Sequence, residues 1–353
     1  MTETIRLATR GSTLALRQAT SVASALESRR RDVELVEVET TGDQLADEMI
    51  HRLGTTGAFV RNLDEKVIDG EADAAVHSMK DMPTEFPDDL VVAGVPERAP
   101  AGDVLVTPDG RGLKELPKGA VVGTSSLRRK AQLLSQRPDL DVQPLRGNVD
   151  TRVQKLLAPK LQSEHEKRME AEESDDSVYE HSVDEWFDGL TELERQALGR
   201  DVETHLDAIV LAEAGLSRMG LLEAIEYERL GTGFVPAPGQ GALAVTALDG
   251  DLADALRSAL DHPRSRVETT VERTILKTLG GGCVAPIGVH AVLQGAYVHT
   301  SVRVLSGDGT DEVAATRDVP VESHPEEAHA FAAGLADDGA AELIRHARKE
   351  LGG

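Results

Sequence analysis

Strand patterns alternate with helix patterns from Ile5 to Leu145, and the polar clusters stand where strands stop. That alternation limits the fold more than any other feature, because strands separated by helices lie parallel in a sheet covered on both faces. Ile5 to Thr9 reads as a strand, and Ser12 is placed to cap an amphipathic helix running to about Arg30. Val33 to Thr40 is a second strand, Phe59 to Ile68 a helix, and Ala72 to Val76 a short buried strand leading into His77-Ser-Met-Lys-Asp81. Between them, Thr41 to Thr56 lacks periodicity and has the character of a long lid loop. The unit repeats after Asp103: Ala120 to Gly123 is a strand, Ser125 or Ser126 caps a helix through Gln136, and Val142 to Leu145 is the next strand.

The expected fold is therefore α/β, with two doubly wound lobes hinged about a cleft. Residues 1–98 with 242–260 form the first lobe and 103–235 the second, with crossings near 98–103 and 235–242. Residues 158–205 break the pattern: they are acidic and weakly amphipathic, the mark of a solvated, partly helical insertion. Leu206 to Leu211 resumes a buried strand. From Pro263 the pattern changes to a helix (Ser265 to Leu279), a glycine loop, three strand-like runs and a final helix from Glu326 to Leu351. These make a small α+β domain over 264–353.

Composition narrows the function. The chain has 353 residues, one cysteine and a formal net charge of -24. A single thiol excludes an internal disulfide and a multi-cysteine metal site, and no metal is expected. The acidity disfavours nucleic acid as a partner. No apolar run is long enough for a membrane span, and no leader pattern opens the chain, so a cytoplasmic location is expected. Nothing demands more than a monomer. Few of the basic residues are lysine and aromatics are 3%, a balance that points to a salty cytoplasm, where short Debye lengths weaken self-repulsion.

Four constellations carry candidate chemistry. Cys283 follows three glycines between a helix and a strand, so the backbone can pass close to a ligand; the residues alone leave a functional thiol and a packed one equally open. Lys80 and Asp81 stand together at a strand end, as an acid/base or cation-stabilising pair or as an incidental ion pair. Arg10 with Ser12, Arg128 with Arg129, and Arg146 with Arg152 occupy three strand-to-helix junctions. Helix amides and guanidiniums both donate to anions, and three such junctions in so acidic a chain favour a carboxylate or phosphate site over solvated surface. Gln240, in Pro236-Ala-Pro-Gly-Gln-Gly-Ala242, would offer an amide at the return crossing, or simply stiffen a hinge.

Taken in order, several segments resemble the porphobilinogen deaminase (hydroxymethylbilane synthase) family. They are Ala8-Thr-Arg-Gly-Ser-Thr-Leu-Ala-Leu16, His77-Ser-Met-Lys-Asp-Met-Pro83, Val122-Gly-Thr-Ser-Ser-Leu-Arg-Arg129, Arg137-Pro-Asp-Leu140, Leu145-Arg-Gly-Asn-Val-Asp-Thr-Arg152, Leu211-Ala-Glu-Ala-Gly-Leu216, Gly239-Gln-Gly-Ala242 and Gly281-Gly-Cys-Val-Ala-Pro-Ile-Gly288. The resemblance implies two periplasmic-binding-protein-like lobes and a smaller domain bearing the cysteine. It also implies a dipyrromethane cofactor on Cys283 through a thioether, extended by four porphobilinogens with loss of ammonia to give hydroxymethylbilane. Asp81 matches the family's catalytic aspartate. Lys80, Ser126, Arg128 and Arg129, with Asp81, match cofactor-holding positions; Arg10, Ser12, Arg146 and Arg152 match substrate-holding ones, and Arg218 is a softer match. Two departures stand out: Thr56 where the family often has a lysine, with Arg61 nearby, and the acidic insertion, expected outside the cleft.

A two-lobed solute-binding module without covalent chemistry is the main competing reading; the Gly-Gly-Cys loop counts against it. The acidity yields a test. The thermal midpoint should climb as salt is raised from dilute buffer to molar concentration, and a midpoint indifferent to salt would remove the case for halophily.

Overall fold

The computed structural model describes residues 3–28, 31–38, 58–174, 179–202, 204–231, 233–281 and 285–352. The expected lid loop, including Thr56, the side chain of Arg61, and Cys283 lie outside these residues.

Two five-stranded sheets share one plan. In the first, β1 (Glu3–Arg10), β2 (Arg31–Val38) and β3 (Ala74–Ser78) are parallel, and in the order β2-β1-β3-β10-β4 they meet β4 (Leu90–Gly94) across β10 (Leu243–Leu248). In the second, β6 (Val121–Gly123), β7 (Asp141–Gln143) and β8 (Ala208–Ala212) are parallel, and the order β7-β6-β8-β5-β9 adds β5 (Asp103–Val106) and β9 (Tyr227–Arg229). The expectation of parallel sheets is corrected here: β10 and β5 run antiparallel to both neighbours. Each is the strand that enters its lobe from a crossing, so it starts where the parallel strands end. That places both crossings at the carboxyl ends, beside any ligand of the sheets.

The central strands are apolar at nearly every position because both faces are covered. In β8, Ala208 and Val210 join Leu105 and Leu133 on one face, while Ile209 and Leu211 join Val104, Val106 and Leu156 on the other. Helices Thr13–Leu26, Leu127–Gln136 and Asp251–Leu260 cover these sheets; the first stops at Leu26, short of Arg30.

The acidic insertion does not begin as a separate piece. Helix Val149–Glu173 runs through Pro159 for 25 residues, and helices Val183–Gly189 and Glu192–Leu198, each opened by a capping box, fold back against it. Gln162 donates to the carbonyls of Leu198 and Arg200 at 3.0 and 2.6 Å. The Arg168 guanidinium lies 4.2 Å from the Tyr179 ring centre and 5.2 Å from that of Trp186, a small cationic core for an otherwise solvated unit.

The third domain packs helix Pro263–Thr278 on an antiparallel sheet of β11 (Ile287–Gln294), β12 (Tyr297–Leu305) and β13 (Glu312–Pro320). Its single expected C-terminal helix is two, His324–Leu335 and Ala341–Gly352, separated by a kink at Gly339 with φ 107°. No helix among the described residues is long and apolar enough to cross a membrane.

The return crossing demands glycine. Gly241 has φ +85°, and a Cβ there would lie 2.4 Å from the Ala99 carbonyl oxygen of the other crossing. Gly70 shares a positive φ (+71°) but has nothing within 4 Å. Gly241→Ala should therefore cost about 3 kcal/mol or more in chemical denaturation, against about 1 kcal/mol for Gly70→Ala. Equal losses would show that the crossings are not in tight contact.

Candidate active site

Five parallel-strand ends deliver side chains to one cavity of about 330 Å³ between the lobes. From β1 come Arg10 and Ser12; the Ser12 hydroxyl caps helix Thr13–Leu26, accepting from the Ala15 amide at 3.3 Å. From β3 the chain enters a 3-10 turn, Met79–Asp81, that presents Lys80 and Asp81. Helix Leu127–Gln136, beyond β6, supplies Arg129, and the Ser126 hydroxyl caps it. After β7, Gly147, Asn148 and Val149 form the wall at the start of a long helix whose Arg152 also faces inward, its Nε donating to the Gly147 carbonyl at 2.7 Å. After β8, Gly215 and Arg218 close the floor, and Arg218 donates to the Gly241 carbonyl at 2.8 Å.

Among the described residues, Arg10, Lys80, Arg129, Arg152 and Arg218 thus line the cavity with one carboxylate, Asp81: five cations to one anion, in a chain of net charge -24. Such an inversion attracts polycarboxylates or phosphates. Ser12 and Gln240 line it as well.

Three expected ligand-holding residues do not line this cavity: Ser126, Arg128 and Arg146. Ser126 caps its helix as Ser12 does, but stands outside the lining. Arg128 and Arg129 both reach the Asp103 carboxylate, but of the two only Arg129 also lines the cavity. Arg128 turns to the crossing instead, donating to the Asp103 carboxylate at 2.6 Å and the Val235 carbonyl at 2.8 Å. Its Nε is buried with no hydrogen-bond partner.

Asp103, the first residue of β5, escaped the sequence reading. It is buried at 1% exposure and receives Arg128, Arg129 (Nε at 2.9 Å) and the Gln240 amide at 3.0 Å. Burial pushes its carboxyl up, but the two arginines pull it well below the usual carboxylate range. Its sequence signal was a charge opening an apolar strand, which requires a buried counterion. His77, quoted within a motif but given no role, lines the cavity and shares a buried cluster with Asp64 (2.9 Å) and Thr246 (3.0 Å).

Burial lowers the pKa of Arg129 and Arg218, and brings that of Arg152 to about 10 with help from Arg129. Lys80 is pushed below its ordinary 10.5 by burial, against the pull of Asp81, with Arg129 adding to the fall. Crowded, desolvated cations gain most from a bound anion. Among the described residues, no group of three or more His, Cys, Asp or Glu is gathered to hold a metal ion.

Fold and cleft together define a two-lobed protein with a cationic pocket suited to a ligand bearing several negative charges. Residues 5–164 and 192–255 match the family described as "Porphobilinogen deaminase, dipyromethane cofactor binding domain", and residues 267–337 match "Porphobilinogen deaminase, C-terminal domain". The chain is 53% identical to "Probable porphobilinogen deaminase" of Halobacterium salinarum, with 98% of each chain covered. It is 36% identical to "Porphobilinogen deaminase" of Desulforudis audaxviator, with 99% of each covered. The chain belongs to the porphobilinogen deaminase family, enzymes of tetrapyrrole synthesis. Among solved structures, an ABC transporter structure from Parabacteroides distasonis aligns with a TM-score of 0.35 and 13% identity over 98% of this chain and 95% of that one. The first family match passes over 165–191, within the helical insertion, and no described residue from 158 to 205 lines the cavity.

The lowered Lys80 has a consequence for pH. An anion prefers the protonated amine, so affinity falls as pH rises through that pKa, below the 10.5 of an ordinary lysine. Citrate titrations by calorimetry should show this alkaline loss, and Lys80→Arg should displace it to higher pH. A limb that stays in place in the arginine variant would clear Lys80 of responsibility.

Proposed function

We propose that this chain is a porphobilinogen deaminase that joins four porphobilinogens head to tail, consuming one water and releasing four ammonias, to give hydroxymethylbilane. It is thereby a transferase of porphyrin and haem synthesis, acting as a monomer in the cytoplasm on a small-molecule substrate. The observation that carries this reading is the cavity itself: five cations around one carboxylate, in a strongly acidic chain.

The donor set fits a dipyrromethane cofactor. Its acetate and propionate arms are carboxylates, and Arg129, Lys80 and the helix start at Asn148–Val149 supply donors from both lobes. When bound through Cys283, the cofactor supplies the pyrrole carbon to which each unit is added.

The residues of this chain do the rest. Arg10, Ser12, Arg152 and Arg218 hold the substrate's carboxylates, with Arg146 and Gln240 at the margins. Asp81 is the carboxylate among cations and is exposed to the cavity. It holds the substrate's ammonium as the carbon–nitrogen bond breaks, and its charge stabilises the positive pyrrole that develops beside it. The surrounding cations neutralise the substrate's carboxylates.

Intact mass decides the covalent part. The purified protein should exceed its sequence mass by one dipyrromethane, and Cys283→Ser should lack the increment; an unmodified, fully active protein would refute the proposal. Asp81→Asn should retain the increment and lose at least about 10²-fold in kcat. Near-normal turnover would strip Asp81 of its role.

A further inference from the structure

Glu272 and Arg273 are neighbours on the third-domain helix Pro263–Thr278, and each reaches out of that domain into the cleft's supports. Glu272, fully buried, accepts from both terminal nitrogens of Arg98 on the outgoing crossing (2.8 and 2.9 Å) and from the Gly239 amide on the return crossing (2.6 Å). Arg273 goes elsewhere. One terminal nitrogen donates to the Met79 carbonyl at 3.5 Å, the other donates to the Pro83 carbonyl, and the guanidinium carbon lies 5.6 Å from the Phe86 ring centre. Met79 and Pro83 each stand two residues from Asp81, on opposite sides of it.

The same turn is held from its other side. The Met79 amide donates to the Ala242 carbonyl at 3.0 Å. Gly239 comes so close that a Cβ on it would lie 2.9 Å from Met79 Cγ and 3.3 Å from the Lys80 amide nitrogen. Asp81 is thus an exposed carboxylate on a short turn whose two flanks are gripped through backbone atoms. Its place in the cavity is set by those grips. A guanidinium can span two carbonyls because its donors form a rigid fork, whereas an ammonium would serve one at a time.

We infer that Arg273 is a positioning residue for Asp81, fixing the Met79–Pro83 turn from the third domain; the inference rests on the catalytic reading of Asp81 given above. The helix that carries Arg273, and so holds the turn of the acting carboxylate, ends at Thr278, five residues before the thiol of Cys283 in the chain.

The test measures kcat, KM and intact mass for Arg273→Ala, Arg273→Lys and Asp81→Glu, and for Asp81→Glu combined with Arg273→Ala. Removing the grip should lower kcat by roughly 10- to 100-fold, the scale of an ångström-sized misplacement, with KM within about threefold and the dipyrromethane increment intact. Arg273→Lys, keeping one carbonyl, should fall between wild type and alanine and guards against a variant that fails to fold. In the Asp81→Glu background the carboxylate is already displaced, so Arg273→Ala should cost less than about threefold more. A kcat for Arg273→Ala within about twofold of wild type, or losses that multiply in full in the double variant, would overturn the inference. If Asp81→Asn is itself unimpaired, the reading of Asp81 fails and this inference with it; if Asp81→Asn is crippled and Arg273→Ala silent, this inference fails alone.

Discussion

The cleft depends on one buried carboxylate. Arg128 and Arg129 sit in the first turn of helix Leu127–Gln136, where the helix dipole opposes positive charge, and both are almost wholly removed from water. Two adjacent cations there are tolerable because Asp103 stands between them at 2.6 and 2.9 Å. Removing one member of such a buried group costs about 3–5 kcal/mol, since the others are left uncompensated. Two guanidiniums and one carboxylate leave a net single positive charge, and the geometry delivers it at Arg129, the member that lines the cavity. Asp103 also begins β5, and Gln240 binds it from the return crossing, so the charge cluster and the hinge are one structure.

That arrangement explains which parts of the site were legible in the sequence. Strand-end motifs announce Arg10, Ser12, Lys80, Asp81, Arg129 and Arg152, because a parallel sheet gathers the carboxyl ends of its strands whatever the distance along the chain. They do not say which of two consecutive arginines looks inward. Arg128 and Arg129 read alike as letters and differ only once the helix's phase against β5 is known. Asp103 lies 25 residues from Arg128 with no motif around it, so its role emerges only from the antiparallel placement of β5 beside β8. The same long-range pairing made the sheets mixed where local alternation implied parallel ones.

Other departures are local. Pro159 does not end its helix: Ala158 beside it is fully buried, and the segment is packed along the helices that fold back on it, so tertiary packing holds it helical. The apolar pattern from Glu326 to Leu351 outweighs the turn signal Asp337-Asp338-Gly339 inside it, yet Gly339 takes a positive φ and the chain turns there. A periodicity count registers which face is apolar and is blind to a kink that keeps that face on the core.

The contrast between a -24 exterior and a cationic cleft has a further physical consequence. At low salt the outer acidity would repel a polycarboxylate before it reached the cavity; at the salt levels the composition points to, screening within a few ångströms removes that barrier. The cleft cations are screened less, because they are buried or half-buried in the cavity. Medium anions then compete as single charges, while a ligand with several carboxylates can engage Arg10 and Lys80 from one lobe together with Arg129, Arg152 and Arg218 from the other. Such a ligand bridges the hinge and a monovalent ion does not. Selectivity in a salty medium follows from where the cations stand, on two bodies joined by the crossings that Asp103 and Glu272 fasten, more than from how many there are.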